Sequence, residues 1–249
     1  MSNRYLVGTS GWHYGHWQDR FYPQGLPKRQ WLAYYAQRFP TVEVNNTFYR
    51  LPQPSAFDAW RKEAPPGFIF ALKASRGITH YRKLVGVEGL LAALFERARR
   101  LRPALGPILY QLPPHLQRED ERLSQFLDLL PADLQHAVEF RHPSWFADPI
   151  YDLLRRRGVA LCLISMPDFD CPLVATAPFI YMRFHGTTGK YQGSYPDEEL
   201  QRWAVTLEAL ADPDRRAYIY FNNDQNAYAV YNALTLASLL SDAQRSLRS

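Results

Sequence analysis

The chain has 249 residues and a mass of 28.9 kDa, a size that fits one large domain or two small ones. Hydrophobic residues make up 47% and charged residues 21% of it, close to globular averages, so disordered, collagen-like and disulfide-scaffold proteins are excluded. No apolar run approaches the roughly 18 residues of a membrane span, and the N-terminus lacks the successive regions of a signal peptide. We therefore expect a cytoplasmic protein with no membrane partner.

The net charge of +5 permits an anionic partner. The arginines are dispersed, however, apart from 155–157 and the ERARRLR segment at 96–102. Charge alone therefore does not predict a nucleic-acid-binding protein. Cys162 and Cys171 are the only cysteines, and they lack metal-ligand spacing, so we interpret both as reduced structural thiols.

Eight short runs rich in β-branched or aromatic residues predict strands, near 4–9, 42–46, 68–74, 107–112, 136–141, 159–164, 179–185 and 216–222. Between them, apolar residues at three- and four-residue spacing predict helices over 28–38, 53–63, 87–102, 119–130, 146–157, 197–211 and 225–240. Segment 165–175 contains two prolines, which disfavour a helix, so we predict no more than a turn there.

This alternation predicts an α/β protein with a single-domain TIM-barrel-like (β/α)8 fold over residues 1–249, in which the sixth helix is degenerate. No linker or compositional shift marks a domain boundary. An open doubly wound sheet is the alternative, but no GxGxxG or GxxxxGK[ST] phosphate loop follows any predicted strand.

Polar residues alternate with bulky apolar residues toward the carboxyl ends of several predicted strands. Residues two apart share a face of a strand, so the polar face should point into the barrel if the bulky face packs on helices. Active sites of (β/α)8 enzymes lie at this end of the barrel. We therefore predict one pocket lined by Lys73, Gln111, Glu139, Arg141, Arg183, His185 and Asn222, with Glu43 and Asn45 on the same face of the second strand.

The loops that follow the strands add further candidates for ligand binding. Arginine, tryptophan and tyrosine at loop mouths suit the recognition of anions and of flat or sugar-like groups. These candidates are Trp12, Tyr49, Arg76, His80, Tyr191, Asn223 and Asp224. We interpret His13, His16, His115 and His136 as surface or structural residues because they fall outside the strand-end pattern.

Seven motifs together resemble the YecE-like family, also called domain of unknown function family 72. They are GTSGW at 8–12, EVNNTFY at 43–49, FALKASRGITH at 70–80, GPILYQLPP at 106–114, EFRHPSW at 139–145, RFHG at 183–186 and YFNND at 220–224. One departure is Asn46, where a serine is common in the family. The resemblance spans the chain and implies a one-domain TIM-barrel-like fold, but it brings no established reaction.

The predicted pocket has more cations than carboxylates, so its natural ligand is a small molecule that carries phosphate or carboxylate. In this interpretation Glu139 and His185 act as general base and acid, and Lys73 acts electrostatically or, less favoured, as a Schiff-base nucleophile. The other members of the set bind the substrate. The protein is then a hydrolase, lyase or isomerase that needs no cofactor.

Three alternatives stay open at this point. A divalent metal held by Glu139, His185, His80, His142 or Asp224 would make the protein a phosphodiester hydrolase or sugar isomerase. A non-catalytic protein would bind a small anion or nucleic acid; nucleic acid is least favoured because no basic stripe interleaved with aromatics is visible. A closed salt-bridge lattice would only fill the barrel. If the cluster is catalytic, Glu139→Gln should cost little stability.

Overall fold

The computed structural model describes residues 4–189, 191–211 and 215–246. Eight strands pair in chain order as a closed barrel, and every strand pair described is parallel. The strands are β1 Tyr5–Ser10, β2 Thr41–Val44, β3 Ile69–Lys73, β4 Leu105–Gln111, β5 His136–Glu139, β6 Ala160–Ser165, β7 Phe179–Phe184 and β8 Arg216–Phe221. The predicted α/β barrel is confirmed, and each strand lies within about three residues of its predicted span.

The helices follow the strands in the predicted order. They are α1 Trp31–Ala36, α2 Asn46–Tyr49, α3 Pro54–Glu63, α4 Glu88–Arg99, α5 Asp120–Asp128, α6 Asp148–Arg157, α7 Asp197–Leu210 and α8 Tyr228–Ser246. No helix of the described residues is long and apolar enough to cross a membrane.

Two elements differ from the sequence prediction. The segment after β2 forms the short helix α2, and the segment after β3 forms a π-helical turn, Gly77–Tyr81, where loops were expected. Both elements are too short to show helical periodicity in sequence. Segment 166–178 contains no helix, as its prolines predicted.

Local signals explain where the longer helices begin and end. Helix α6 has a proline in its first turn, three arginines in its last turn and Gly158 beyond it at φ 63°. Helix α7 begins with three acidic residues, 197–199. Acidic side chains near a helix N-terminus, basic ones near its C-terminus and a left-handed glycine after its last turn all stabilise helices.

The described residues group into two compact units. The first, which we call the terminal unit, contains residues 4–42, 163–173, 179–189, 191–211 and 215–246. The second, the central unit, contains residues 43–162 and 174–178. The extent of a single domain over 1–249 stays a prediction.

Each unit aligns the carboxyl ends of its own strands. In the central unit, β4 pairs with β5 so that Gln111 lies opposite Glu139, the last residue of β5. In the terminal unit, β7 pairs with β8 so that Arg183 lies opposite Tyr220. These registers place the polar residues of adjacent strands side by side.

Candidate functional site

In the central unit, a buried ion pair lies at the end of β5. Nε of Arg141 donates to Oε1 of Glu139. The other carboxylate oxygen, Oε2, accepts a hydrogen bond from the thiol of Cys162, with Sγ and Oε2 3.7 Å apart. Glu139 is therefore held on both oxygens, by a cation and by a neutral donor, and these two contacts fix the orientation of its carboxylate.

Lys73, at the end of β3, is buried beneath an aromatic ring. Its Nζ lies 4.3 Å from the ring centroid of Phe48, which belongs to α2. Thr47 donates from Oγ1 to the backbone carbonyl of Lys73 at 2.7 Å, so α2 is fastened to β3. A desolvated ammonium over an aromatic face is stabilised by the ring quadrupole, which supports a charged, electrostatic Lys73.

Three further predicted residues lie on or beside helix α2, which carries Phe48. The ring of His80 contacts the edge of Phe48 at a centroid distance of 5.1 Å, and its Nδ1 lies 2.9 Å from Oγ1 of the buried Thr79. The guanidinium of Arg76 lies 5.7 Å from the ring of Tyr49. Contacts through Phe48 and Tyr49 thus connect Lys73, His80 and Arg76.

In the terminal unit, a second buried group lies at the ends of β7 and β8. Nδ2 of Asn222 lies 3.3 Å from Nδ1 of His185, and both side chains are buried. An amide that donates to Nδ1 places the imidazole proton on Nε2. The ring of Tyr191 lies 5.5 Å from that of His185, and the Tyr191 amide donates to the His185 carbonyl.

The loop between His185 and Tyr195 is fastened to helix α8. The side chain of Asn232 accepts from the Tyr195 amide at 3.1 Å and donates to the Tyr195 carbonyl at 3.0 Å. The Tyr195 hydroxyl contacts Ser165 and both backbone groups of Gly186. Burial raises the pKa of Tyr195 to about 12, so this hydroxyl stays protonated at neutral pH.

Three candidates have structural contacts in the terminal unit. Asn223 is buried, and its amide donates to the Gly193 carbonyl and to the Asn232 side chain. These two hydrogen bonds hold the loop after β7 and explain why Asn223 is buried. The Asp224 carbonyl accepts from His16 and Trp17, and burial raises the pKa of its carboxyl. The backbone carbonyl of Trp12 accepts from the Tyr22 hydroxyl. A direct role of these residues in substrate binding stays a prediction.

The remaining candidates also lie at strand ends. Asn45 is half-buried at the start of α2, where its carbonyl accepts from the Phe48 amide. The seven strand-end residues of the predicted pocket are all at most 7% exposed, and Glu43 is fully buried. The seven are Lys73, Gln111, Glu139, Arg141, Arg183, His185 and Asn222. None of these seven lies on the solvent-exposed surface, and their convergence in one pocket stays a prediction.

The metal alternative lacks a ligand set in the described part of the chain. No three histidine, cysteine, aspartate or glutamate side chains there are grouped so that they could hold an ion. In the central unit, Glu139 is paired with Arg141 and His142 bonds to Ser144.

Sequence reasoning missed several residues that shape these neighbourhoods. Cys162 contacts Glu139, although we interpreted its thiol as structural; extending the alternation to β6 would have placed it on the inner face. His16 bonds to the carbonyl of Asp224, and Asn232 fastens the loop after β7 from a distant helix. Contacts between segments so far apart carry no local sequence signal.

Proteins of two bacteria are similar to this chain in sequence, and a solved structure from a third is similar in both sequence and fold. UPF0759 protein YunF of Bacillus subtilis is 26% identical over 94% of both chains. UPF0759 protein YecE of Escherichia coli K12 is 35% identical over 51% of this chain and 47% of its own length. The crystal structure of a DUF72 family protein from Thermotoga maritima is 27% identical, with a TM-score of 0.86 over 96% of this chain and all of that chain.

A second solved DUF72 family structure, from Enterococcus faecalis, has a TM-score of 0.83 at 20% identity, covers 95% of each chain and shows the fold. The family model described as protein of unknown function DUF72 matches residues 6–249. The motifs at the strand ends and the closed parallel barrel agree with this match. The chain belongs to the DUF72 family.

Proposed function

We propose that this protein is an enzyme that performs general acid-base chemistry on a small substrate carrying phosphate or carboxylate, at the carboxyl ends of the barrel strands. One observation carries the proposal: seven polar or charged side chains at the ends of five strands are at most 7% exposed. Burying an ion costs several kcal/mol, and replacing buried ion pairs by apolar residues often stabilises a protein. So many buried polar groups at the catalytic end of this fold favour function over stability.

The cations supply the anion-binding part of the proposal. In the central unit, Lys73 offers an ammonium held over Phe48, and Arg141 offers a buried guanidinium. In the terminal unit, Arg183 is fully buried at the end of β7. Guanidinium and ammonium groups in a low-dielectric site bind phosphate and carboxylate strongly.

We propose Glu139 and His185 as the acid-base groups. Glu139 carries a carboxylate whose orientation is fixed by Arg141 and Cys162, which suits a general base. His185 carries its proton on Nε2 when Asn222 donates to Nδ1, which suits a general acid or a hydrogen-bond donor to a developing oxyanion. The DUF72 relatives supply no substrate by name, so the substrate class rests on this charge pattern.

Anion binding is tested by thermal shift and calorimetry with inorganic phosphate and citrate as probes. Lys73→Met keeps the aliphatic part of the side chain over Phe48 but removes the charge. It should therefore weaken the affinity for phosphate at least about tenfold and reduce the thermal stabilisation that phosphate gives. Lys62→Met removes an exposed lysine of α3 and serves as the matched control. Equal phosphate affinity in both variants would contradict the proposed anion site.

Catalysis is tested separately by NMR detection of turnover over a panel of phosphomonoesters and hydroxy acids. His185→Gln and Glu139→Gln should each abolish turnover while phosphate still binds. Tight anion binding without turnover of any panel member by the parent protein would instead support the non-catalytic alternative.

A further inference from the structure

A group of exposed and half-buried aromatic and basic residues lies on the central unit, on the segments that follow β2 and β3. We define the Tyr–Arg patch as Tyr49, Arg50, Arg76, Tyr81, Arg82 and Lys83. We propose that this patch binds single-stranded nucleic acid, with bases stacked on the tyrosine rings and phosphates bound by the cations. The proposal goes beyond the proposed acid-base activity and does not depend on it.

The first support is the exposure of the two tyrosines. Tyr49 is 66% exposed and Tyr81 is 68% exposed, among the most exposed large hydrophobic side chains in the described part of the chain. The guanidinium carbon of Arg76 lies 5.7 Å from the Tyr49 ring centroid and 5.4 Å from the Tyr81 ring centroid. Both rings are therefore next to the same cation while most of their surface faces solvent.

The second support is that the patch has a rigid base. Tyr49 ends α2, which is fastened to β3 through Thr47, and the neighbouring Phe48 packs over Lys73. Tyr81 ends the π-helical turn, in which Ile78 and Thr79 are fully buried. The tyrosines are thus presented by anchored backbone, so ordering them on binding has a small entropic cost.

The third support is the unbalanced charge. Segments 45–57 and 74–87 contain Arg50, Arg76, Arg82 and Lys83 but no aspartate or glutamate. Within residues 4–189, 191–211 and 215–246, none of these four cations forms a salt bridge. Nine other arginines of the same unit do pair with carboxylates: Arg97, Arg99, Arg100, Arg102, Arg118, Arg122, Arg141, Arg155 and Arg157. These two segments therefore give the Tyr–Arg patch a net positive charge.

The chemistry of the patch favours one class of partner. Single-stranded nucleic acid offers unstacked bases to aromatic rings and phosphates to arginine and lysine, and stacking on a ring tolerates any base. A duplex hides the faces of its bases, and an acidic peptide would use the cations but not the ring faces. The pairing of ring and cation at Tyr49, Arg76 and Tyr81 thus selects for a polyanion that carries flat groups.

The test is fluorescence anisotropy with a labelled 15-nucleotide oligo-dT at 50 and 200 mM salt. Tyr49→Ala and Tyr81→Ala should each weaken binding at least about fivefold, whereas Tyr49→Phe should bind like the parent. Arg76→Met should weaken binding and reduce the slope of log affinity against log salt by about 0.7. Circular dichroism verifies that each variant is folded. We expect the tyrosine variants to fold because both side chains are exposed.

Matched controls lie on helices outside the patch segments. Tyr231→Ala removes an exposed tyrosine of α8, and Arg156→Ala removes an exposed arginine of α6; neither should change the affinity for oligo-dT. Unlabelled heparin and a 15-base-pair duplex serve as competitors, and the oligonucleotide should compete better than the duplex. Three results would overturn the proposal: no binding by the parent at 50 mM salt, tyrosine-independent binding, or equal competition by the duplex.

Discussion

Arg141 and Glu139 form an ion pair in which both side chains are almost fully buried, 5% and 0% exposed. Two residues apart on one strand end, they share a face, as strand alternation requires. The second carboxylate oxygen faces the thiol of Cys162. This arrangement neutralises one buried cation locally and makes the pair a structural element as well as a candidate catalytic one.

The pair changes what we expect from Glu139→Gln. Removing one charge of a buried pair leaves the other uncompensated, which typically costs about 3–5 kcal/mol; glutamine keeps an acceptor for Arg141, so the lower end is expected. Urea unfolding at pH 7 measures the loss. Asp133→Asn, at an exposed carboxylate paired with Arg99 and Arg102, is the control and should change stability little. An unchanged unfolding midpoint in Glu139→Gln would contradict this prediction. It would agree with the expectation from sequence that the substitution costs little stability.

The buried His136 should make the stability of the protein depend on pH. Burial lowers its pKa below the ordinary value of 6.5, while its Nε2 bonds to the Pro131 carbonyl. Below pH 6.5 the unfolded chain therefore binds a proton that the folded chain does not, so stability falls as pH decreases from 6.5 toward the folded pKa. The contribution is at most about 1.4 kcal/mol per pH unit.

Thermal melts between pH 7.5 and 5 measure this slope. The variant His136→Gln, which does not titrate, should show a shallower decrease over the same interval than the parent. Identical slopes would show that other groups carry the acid sensitivity.

Asn222 sets the proton position on His185. Its amide donates to Nδ1, so we expect the neutral parent histidine to carry its proton on Nε2. In Asn222→Asp the carboxylate accepts from Nδ1 and should move the proton there. Nitrogen-15 chemical shifts of the His185 ring report the tautomer directly. The same shifts in parent and variant would mean that Asn222 does not set the tautomer.

Gly186, directly after His185, occupies a conformation that other residues cannot adopt there. Its φ is +105°, and an added Cβ would lie 2.0 Å from the carbonyl oxygen of Gln192. Gly186→Ala should therefore displace the loop that Asn232 fastens and lower the melting temperature. Gly67→Ala is the matched control because Gly67 also has positive φ, +85°, with nothing near its Cβ. Equal decreases in melting temperature in both variants would show that the positive φ, and not the contact with Gln192, causes the loss.

The sequence by itself determined the architecture. Apolar runs of strand length separated by helical periodicity indicated eight βα units, and Pro and Gly at the joins placed their boundaries. Alternation also predicted which polar residues are buried, because the side chains of a strand alternate between two faces whatever their partners are. The absence of a helix after β6 followed from the prolines there.

Only the tertiary structure decided which side chains meet. The pairing of Glu139 with Cys162 depends on the register of adjacent strands, and the placement of Lys73 under Phe48 depends on helix α2, which is too short for a periodic signal. The Tyr–Arg patch combines two segments with about 25 residues between them, so neither segment alone shows a basic, aromatic stripe. Local propensity acts over a few residues, whereas a site is made by contacts between residues far apart in sequence.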